Sequence, residues 1–247
     1  MTSTSQPSDD ATKARALRPR DAATLIIVDR QSGAPRVLMG QRRLDQVFMP
    51  GKYVFPGGRV DATDRNIESF DELRPTEVAK LLLDMKGTPS AARARALGLA
   101  AIRETFEEAG LLIACRSEAA CQPYEVPSWN GFFSCGFRPK LSALTLFARA
   151  ITPPGRPRRY DTRFFCVAAE EIGHTVDTRD GELLGLHWLT LEEARSLDLP
   201  SITRVILEDL LDHLKAKETS SEAPIPYYHH KNGTFRRELL SPDKTAL

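Results

Sequence analysis

Apolar positions follow two rhythms along the chain. Runs of strand length occupy residues 24–28 and 36–41, separated by Ser32, Gly33, Ala34 and Pro35, a composition suited to a hairpin-type turn. Residues 52–55 carry a further short run into Pro56, Gly57 and Gly58, where a strand gives way to a loop whose backbone must approach something closely. Strands are also expected at 144–151, 163–169 and 183–189, and helices at 191–196 and 202–215. Upstream of these, Pro75 opens a helix running to Met85, and Gly87 stops it. Thr88 is expected to cap a long helix with Pro89 in its first turn, ending at Ala109 with Gly110 as its C-cap. Residues 115–139 carry prolines and Trp129, Phe132 and Phe133, and read as a long loop whose aromatics fill a small core or stack on a base. The expected fold is α/β, a mixed sheet with helices on both faces.

The helix ending at Ala109 carries the chemistry. At 3.6 residues per turn, Arg103, Glu107, Glu104 and Glu108 fill one arc, while Thr105, Ala109, Ile102, Phe106 and Leu99 fill the opposite one. Like charges three and four residues apart disfavour an isolated helix by about 0.2–0.5 kcal/mol per pair. A bound cation would remove that cost, and oxygen-only ligands suit Mg²⁺ or Mn²⁺. A solvated acidic helix face is the plainer account of the same residues, and the helix alone leaves both open.

The upstream segment tips the balance. Gly58, Asp64, Arg103, Glu104, Glu107, Glu108, Gly110 and Leu111 together resemble the Nudix box, G-x5-E-x7-R-E-U-x-E-E-x-G-U, where U is bulky and aliphatic. Asp64 stands at the first Glu of that pattern and Thr105 at its first bulky aliphatic position. Asp keeps the carboxylate on a shorter arm, and Thr keeps a branched shape. The larger departure is length, because thirty-eight residues separate Asp64 from Arg103 where the pattern has seven. An interrupted box with intact halves resembles the branch of Nudix hydrolases with an enlarged box that includes peroxisomal coenzyme A diphosphatases. The segments 42–51 and 158–165 are similar to that branch as well.

The resemblance implies an α/β/α sandwich with a helical insertion at about 65–95, and metal-dependent hydrolysis of a diphosphate linkage in a nucleoside diphosphate derivative. It implies Gly57, through its carbonyl, with Glu104, Glu107 and Glu108 as metal ligands, and Arg103 as the group that orients the acidic cluster. The general base is a box glutamate, with Glu182 the loop alternative. Arg42, Arg43, Arg59, Arg158 and Arg159 are candidates for the substrate phosphates, since guanidinium groups bind phosphate oxygens bidentately. Coenzyme A or acyl-coenzyme A is the first substrate class implied. ADP-ribose and dinucleotides stay open, as does a Nudix-fold module that binds without hydrolysis.

Composition narrows the setting. The 247 residues carry a formal net charge of +1, which argues against a dedicated nucleic-acid binder. No apolar stretch reaches membrane-spanning length. Residues 1–20 read as a disordered N-terminal tail without a signal peptide, 21–217 as the catalytic domain and 218–247 as a C-terminal tail. Cys115, Cys121, Cys135 and Cys166 show no C-x-x-C, so reduced thiols in a cytoplasmic protein are expected. The expected partner is a small nucleotide-derived substrate, with a homodimer possible through the inserted helix.

Overall fold

The computed structural model describes residues 17–31, 33–45, 49–117, 126–177, 183–215 and 223–241. Its centre is β1 (Arg20–Asp29), which pairs with strands on both of its edges. β8 (Tyr160–Ala168) pairs with it in parallel from Arg20↔Tyr160 to Val28↔Ala168. On its other edge β1 meets β2 (Arg36–Arg42) near its end and β4 (Gly57–Arg59) near its start, and β3 (Tyr53–Val54) pairs with β2. β7 (Thr145–Ile151), β10 (Leu183–Thr190), β11 (Ile225–Lys231) and β12 (Thr234–Leu240) complete the order β10-β2-β1-β8-β7-β11-β12.

Alternation along β1 decides what each face holds. Ala23, Leu25 and Ile27 face α1 (Pro75–Leu82), α2 (Ala91–Ala109) and α3 (Pro127–Ser134), together with a small sheet of β6 (Phe137–Pro139), β5 (Leu111–Arg116) and β9 (Ile172–Thr175). Ile26 and Val28 face α4 (Leu191–Ser196) and α5 (Ser201–Lys215). The result is the expected mixed sheet between two helical layers, an α/β/α sandwich.

Three expectations change. The cap of α2 is Ser90, whose Oγ accepts the Arg93 N–H at 3.2 Å; a residue before proline is disfavoured in the helical region, which suits the next hydroxyl to the role. Within 115–139, of which 118–125 lie outside the described residues, β5 runs to Arg116 and α3 and β6 occupy most of 127–139. The spacing of Trp129, Phe132 and Phe133 is helical, and Pro127 sits in the first turn of α3. Residues 225–240, expected in a tail, form the β11–β12 hairpin, which extends the sheet from β7 through Tyr227↔Arg149 and Tyr228↔Ala150.

The insertion is docked rather than dangling. Glu77 of α1 is fully buried; it accepts the Leu146 N–H at 2.7 Å and pairs with Lys80 at 3.3 Å. Arg149 of β7 donates to the Asp84 carbonyl at 2.9 Å, tying the end of the insertion to the sheet.

Candidate active site

Both halves of the interrupted motif converge on one guanidinium. Arg103 is 3% exposed, and each of its five N–H groups has an acceptor. Nε donates to Asp64 Oδ1 at 3.0 Å, and Nη2 to Asp64 Oδ2 at 3.2 Å and to the Arg59 carbonyl at 2.9 Å. Nη1 donates to Glu104 Oε1 at 2.9 Å and Glu107 Oε2 at 2.8 Å. Burial works against the charge on Arg103, but Asp64 and the two glutamates outweigh it and hold its proton more tightly than water would.

Asp64 lies behind Arg103. It is fully buried in a 3₁₀ turn at Ala62–Asn66, and its Oδ2 also accepts the Asp61 N–H at 2.8 Å. Its fourth donor, unforeseen from sequence, is Trp129 Nε1 at 3.0 Å from Oδ1. The signal lay in the i, i+3, i+4 aromatic pattern of α3. Thr105 turns the other way, donating to the Ala101 carbonyl at 2.7 Å inside the core.

The glutamates line a graded surface: Glu108 is buried at 4% exposure, whereas the Glu107 side chain is open at 36%. Glu108 Oε2 accepts the Gly57 N–H at 2.8 Å, bringing the box helix against β4. A Cβ on Gly58 would lie 2.4 Å from the Glu104 carboxylate, so only glycine lets that carboxylate reach the strand. Burial raises Glu104 to about 7 and raises Glu107 as well, both against the pull of Arg103. A solvated acidic face would be neither buried nor pinned to a glycine loop.

Three carboxylates, Asp64, Glu104 and Glu107, thus meet one guanidinium, and Glu108 stands beside them against the Gly57 N–H. That excess of hard oxygen donors fits a divalent cation of the Mg²⁺ class. Among the described residues no three acidic, His or Cys groups stand ready as a cage, because Glu104 and Glu107 turn toward Arg103. Their second oxygens and the open side of Glu107 are what a cation would engage.

The candidate phosphate residues do not all gather here. Arg59 is exposed and pairs with Asp61 at 3.2 Å. Arg42 ends β2, the strand next to β1, and exposed Arg43 pairs with Asp45 at 3.3 Å. Arg158 is exposed in the β7–β8 connection, and Arg159 donates to the Thr152 and Leu17 carbonyls. Glu182 lies outside the described residues. The Val176 N–H donates to the Gly110 carbonyl at 2.8 Å, so the chain leading toward it passes the end of the box helix.

No protein-family model matches the chain. The structure is similar to a NUDIX hydrolase from Alicyclobacillus acidocaldarius, at 25% identity and a TM-score of 0.56, over 77% of this chain and 90% of that one. The fold is that of the Nudix hydrolases. Among curated proteins it is similar to the acyl-coenzyme A diphosphatase NUDT19 of Gallus gallus, 26% identical over 71% of this chain. A Caenorhabditis elegans protein named among the nudix hydrolases is likewise 26% identical, over 70% of this chain. The chain spans 62% and 52% of the lengths of those two relatives. The segments that resemble the Nudix box come together in space, Gly58 and Asp64 from one side of the insertion and residues 103–111 from the other. Among the described residues no helix is long and apolar enough to cross a membrane.

Proposed function

We propose that the chain is a Mg²⁺- or Mn²⁺-dependent hydrolase of a diphosphate linkage in a nucleoside diphosphate derivative, with coenzyme A or acyl-coenzyme A the first substrate class. The observation that carries this reading is the closure of Asp64, Glu104 and Glu107 on Arg103 across a thirty-eight-residue interruption. The name of the Gallus gallus relative, acyl-coenzyme A diphosphatase, and its likeness to this chain support the substrate class.

In this reading Glu104, Glu107, Glu108 and the Gly57 carbonyl hold the cation. Bound, it supplies positive charge that offsets the phosphates and lowers the pKa of water. Arg103 keeps the glutamates in register and is itself kept in register by Asp64 and the Arg59 carbonyl. A box glutamate, or Glu182 from the following loop, takes the proton of the attacking water as the phosphorus–oxygen bond of the anhydride breaks. Arg59, beside the glycine loop, and Arg42 and Arg43, at the end of β2, would meet the substrate phosphates; Arg158 and Arg159, across β1 in the connection leading into β8, would meet only a long substrate.

The test is a Mg²⁺/Mn²⁺-dependent hydrolysis screen of coenzyme A, acyl-coenzyme A, ADP-ribose, NADH and diadenosine polyphosphates, with products identified by mass. Release of phosphopantetheine and adenosine 3′,5′-bisphosphate is expected from coenzyme A. AMP from ADP-ribose alone would move the substrate class, and metal binding without turnover would favour a binding module.

A further inference from the structure

The insertion removes the short tether that would otherwise keep the two halves of the acidic motif together, and α3 bridges the gap it leaves. One contact is polar: Trp129 Nε1 donates to Asp64 Oδ1 at 3.0 Å, on the same oxygen that receives Arg103 Nε. The other is apolar: Phe132 packs edge-on against Phe106 of the box helix, centroids 5.4 Å apart, and Phe106 lies between Arg103 and Glu107 in sequence. Trp129 and Phe132 pack on each other at 5.3 Å, and both are fully buried. α3 therefore touches the 3₁₀ turn with one side chain and the box helix with the next.

A buried indole N–H needs an acceptor, and any backbone carbonyl would satisfy it. Here it is spent on the carboxylate from which the Arg103 register is set. Asp64 has two oxygens and four donors: Arg103 twice, Asp61 and Trp129. Without the indole, Oδ1 keeps a single donor, and the short aspartate arm loses the contact that holds it from the side opposite its own turn.

We propose that Trp129 is a positioning residue of the acidic centre: by fixing Asp64 it fixes Arg103, and through it the spacing at which Glu104 and Glu107 meet a divalent cation. This rests on the metal-dependent reading above. Trp129 touches neither substrate nor cation; it acts through two other side chains, as outer partners of metal ligands do.

The full-length chain is compared with Trp129→Phe, which keeps a buried ring and removes the N–H, and with Leu207→Ala, which weakens the core from the far side of the sheet. Mn²⁺ affinity is read by electron paramagnetic resonance of the free ion, and kcat and KM on whichever substrate the screen identifies. Trp129→Phe is expected to raise the Mn²⁺ Kd and lower kcat by about tenfold each, with KM little changed. Leu207→Ala is expected to lower the melting temperature and leave Kd and kcat alone. Wild-type Mn²⁺ affinity in Trp129→Phe would overturn the proposal while leaving the hydrolase reading intact; no Mn²⁺ binding by the wild type would overturn both. A second measurement needs no variant. The chain has two tryptophans, so its ¹⁵N indole spectrum should show two resonances. The Trp129 signal is expected to shift on Mg²⁺ titration while that of Trp188, on the edge strand β10, stays; a Trp129 signal unmoved at saturating Mg²⁺ would overturn the proposal.

Discussion

Arg103 joins residues that the sequence separates, so substitutions around it sort by which of its contacts they touch. Glu107→Gln keeps the shape of an open side chain and removes a ligand charge. We expect kcat/KM to fall by about a hundredfold or more with the thermal melt nearly unchanged, checked by steady-state kinetics beside calorimetry. Asp64→Ala leaves a buried guanidinium short of its main counter-charge and is expected to destabilise by about 3–5 kcal/mol in urea unfolding. Gly58→Ala puts a methyl against the Glu104 carboxylate, and loss of activity is expected in a protein that still folds. The residue pattern made Arg103 and the three glutamates legible as a group because helical spacing alone places them on one arc. It did not reveal that Arg103 and Glu108 are buried, since burial depends on β4 crossing over the arc, a long-range contact that no local period encodes. Nor could it show that Asp64 serves the guanidinium from behind; reach is a property of the 3₁₀ turn as well as of the side chain.

Elements with strong local signals were readable almost to the residue. Capping by Thr190 and Glu193 fixes the start of α4, and Gly110 in the left-handed conformation ends α2. α3 escaped because its apolar face is made of aromatics amid prolines, and the C-terminal hairpin escaped because its outer strand is mostly exposed and its inner strand docks on β7, far away in the sequence. The inserted helix α1 presents a different lesson: its most consequential residue is a carboxylate. Glu77→Ala would leave Lys80 buried without its partner and the Leu146 N–H without its acceptor. We expect a loss of about 3 kcal/mol or more, with Mn²⁺ affinity retained in the folded fraction, measured by denaturant unfolding and metal titration. Excising residues 75–85 would do the same damage and more, because Arg149 also rests on the carbonyls at the end of this segment.

At the scale of the molecule, a buried charge network ties the sheet to the end of α1 and the start of α2. Asp161 receives Arg149 at 2.8 and 2.7 Å and also pairs with Arg163, while Arg93, in the first turn of α2, pairs with Asp21 of β1. Burial alone would raise Asp161, but the two guanidinium groups prevail and hold it below the usual aspartate range. Its pairing thus stabilises the fold above the pH at which an unfolded aspartate titrates, and that contribution is lost as acid reaches the folded form. The melting temperature of the wild type is expected to fall more steeply below about pH 4 than that of Asp161→Asn, which starts lower and has less to lose. The thirty-eight residues between Asp64 and Arg103 have one more consequence. Closing a chain of that length rather than seven residues raises the entropic penalty by only about 1.5 kcal/mol, because the penalty grows with the logarithm of length. The buried Asp64–Arg103 ion pair closes the mouth of the loop. The ion pair acts as a clasp, and a clasped loop can change length and content across evolution while the chemistry at its mouth stays in place.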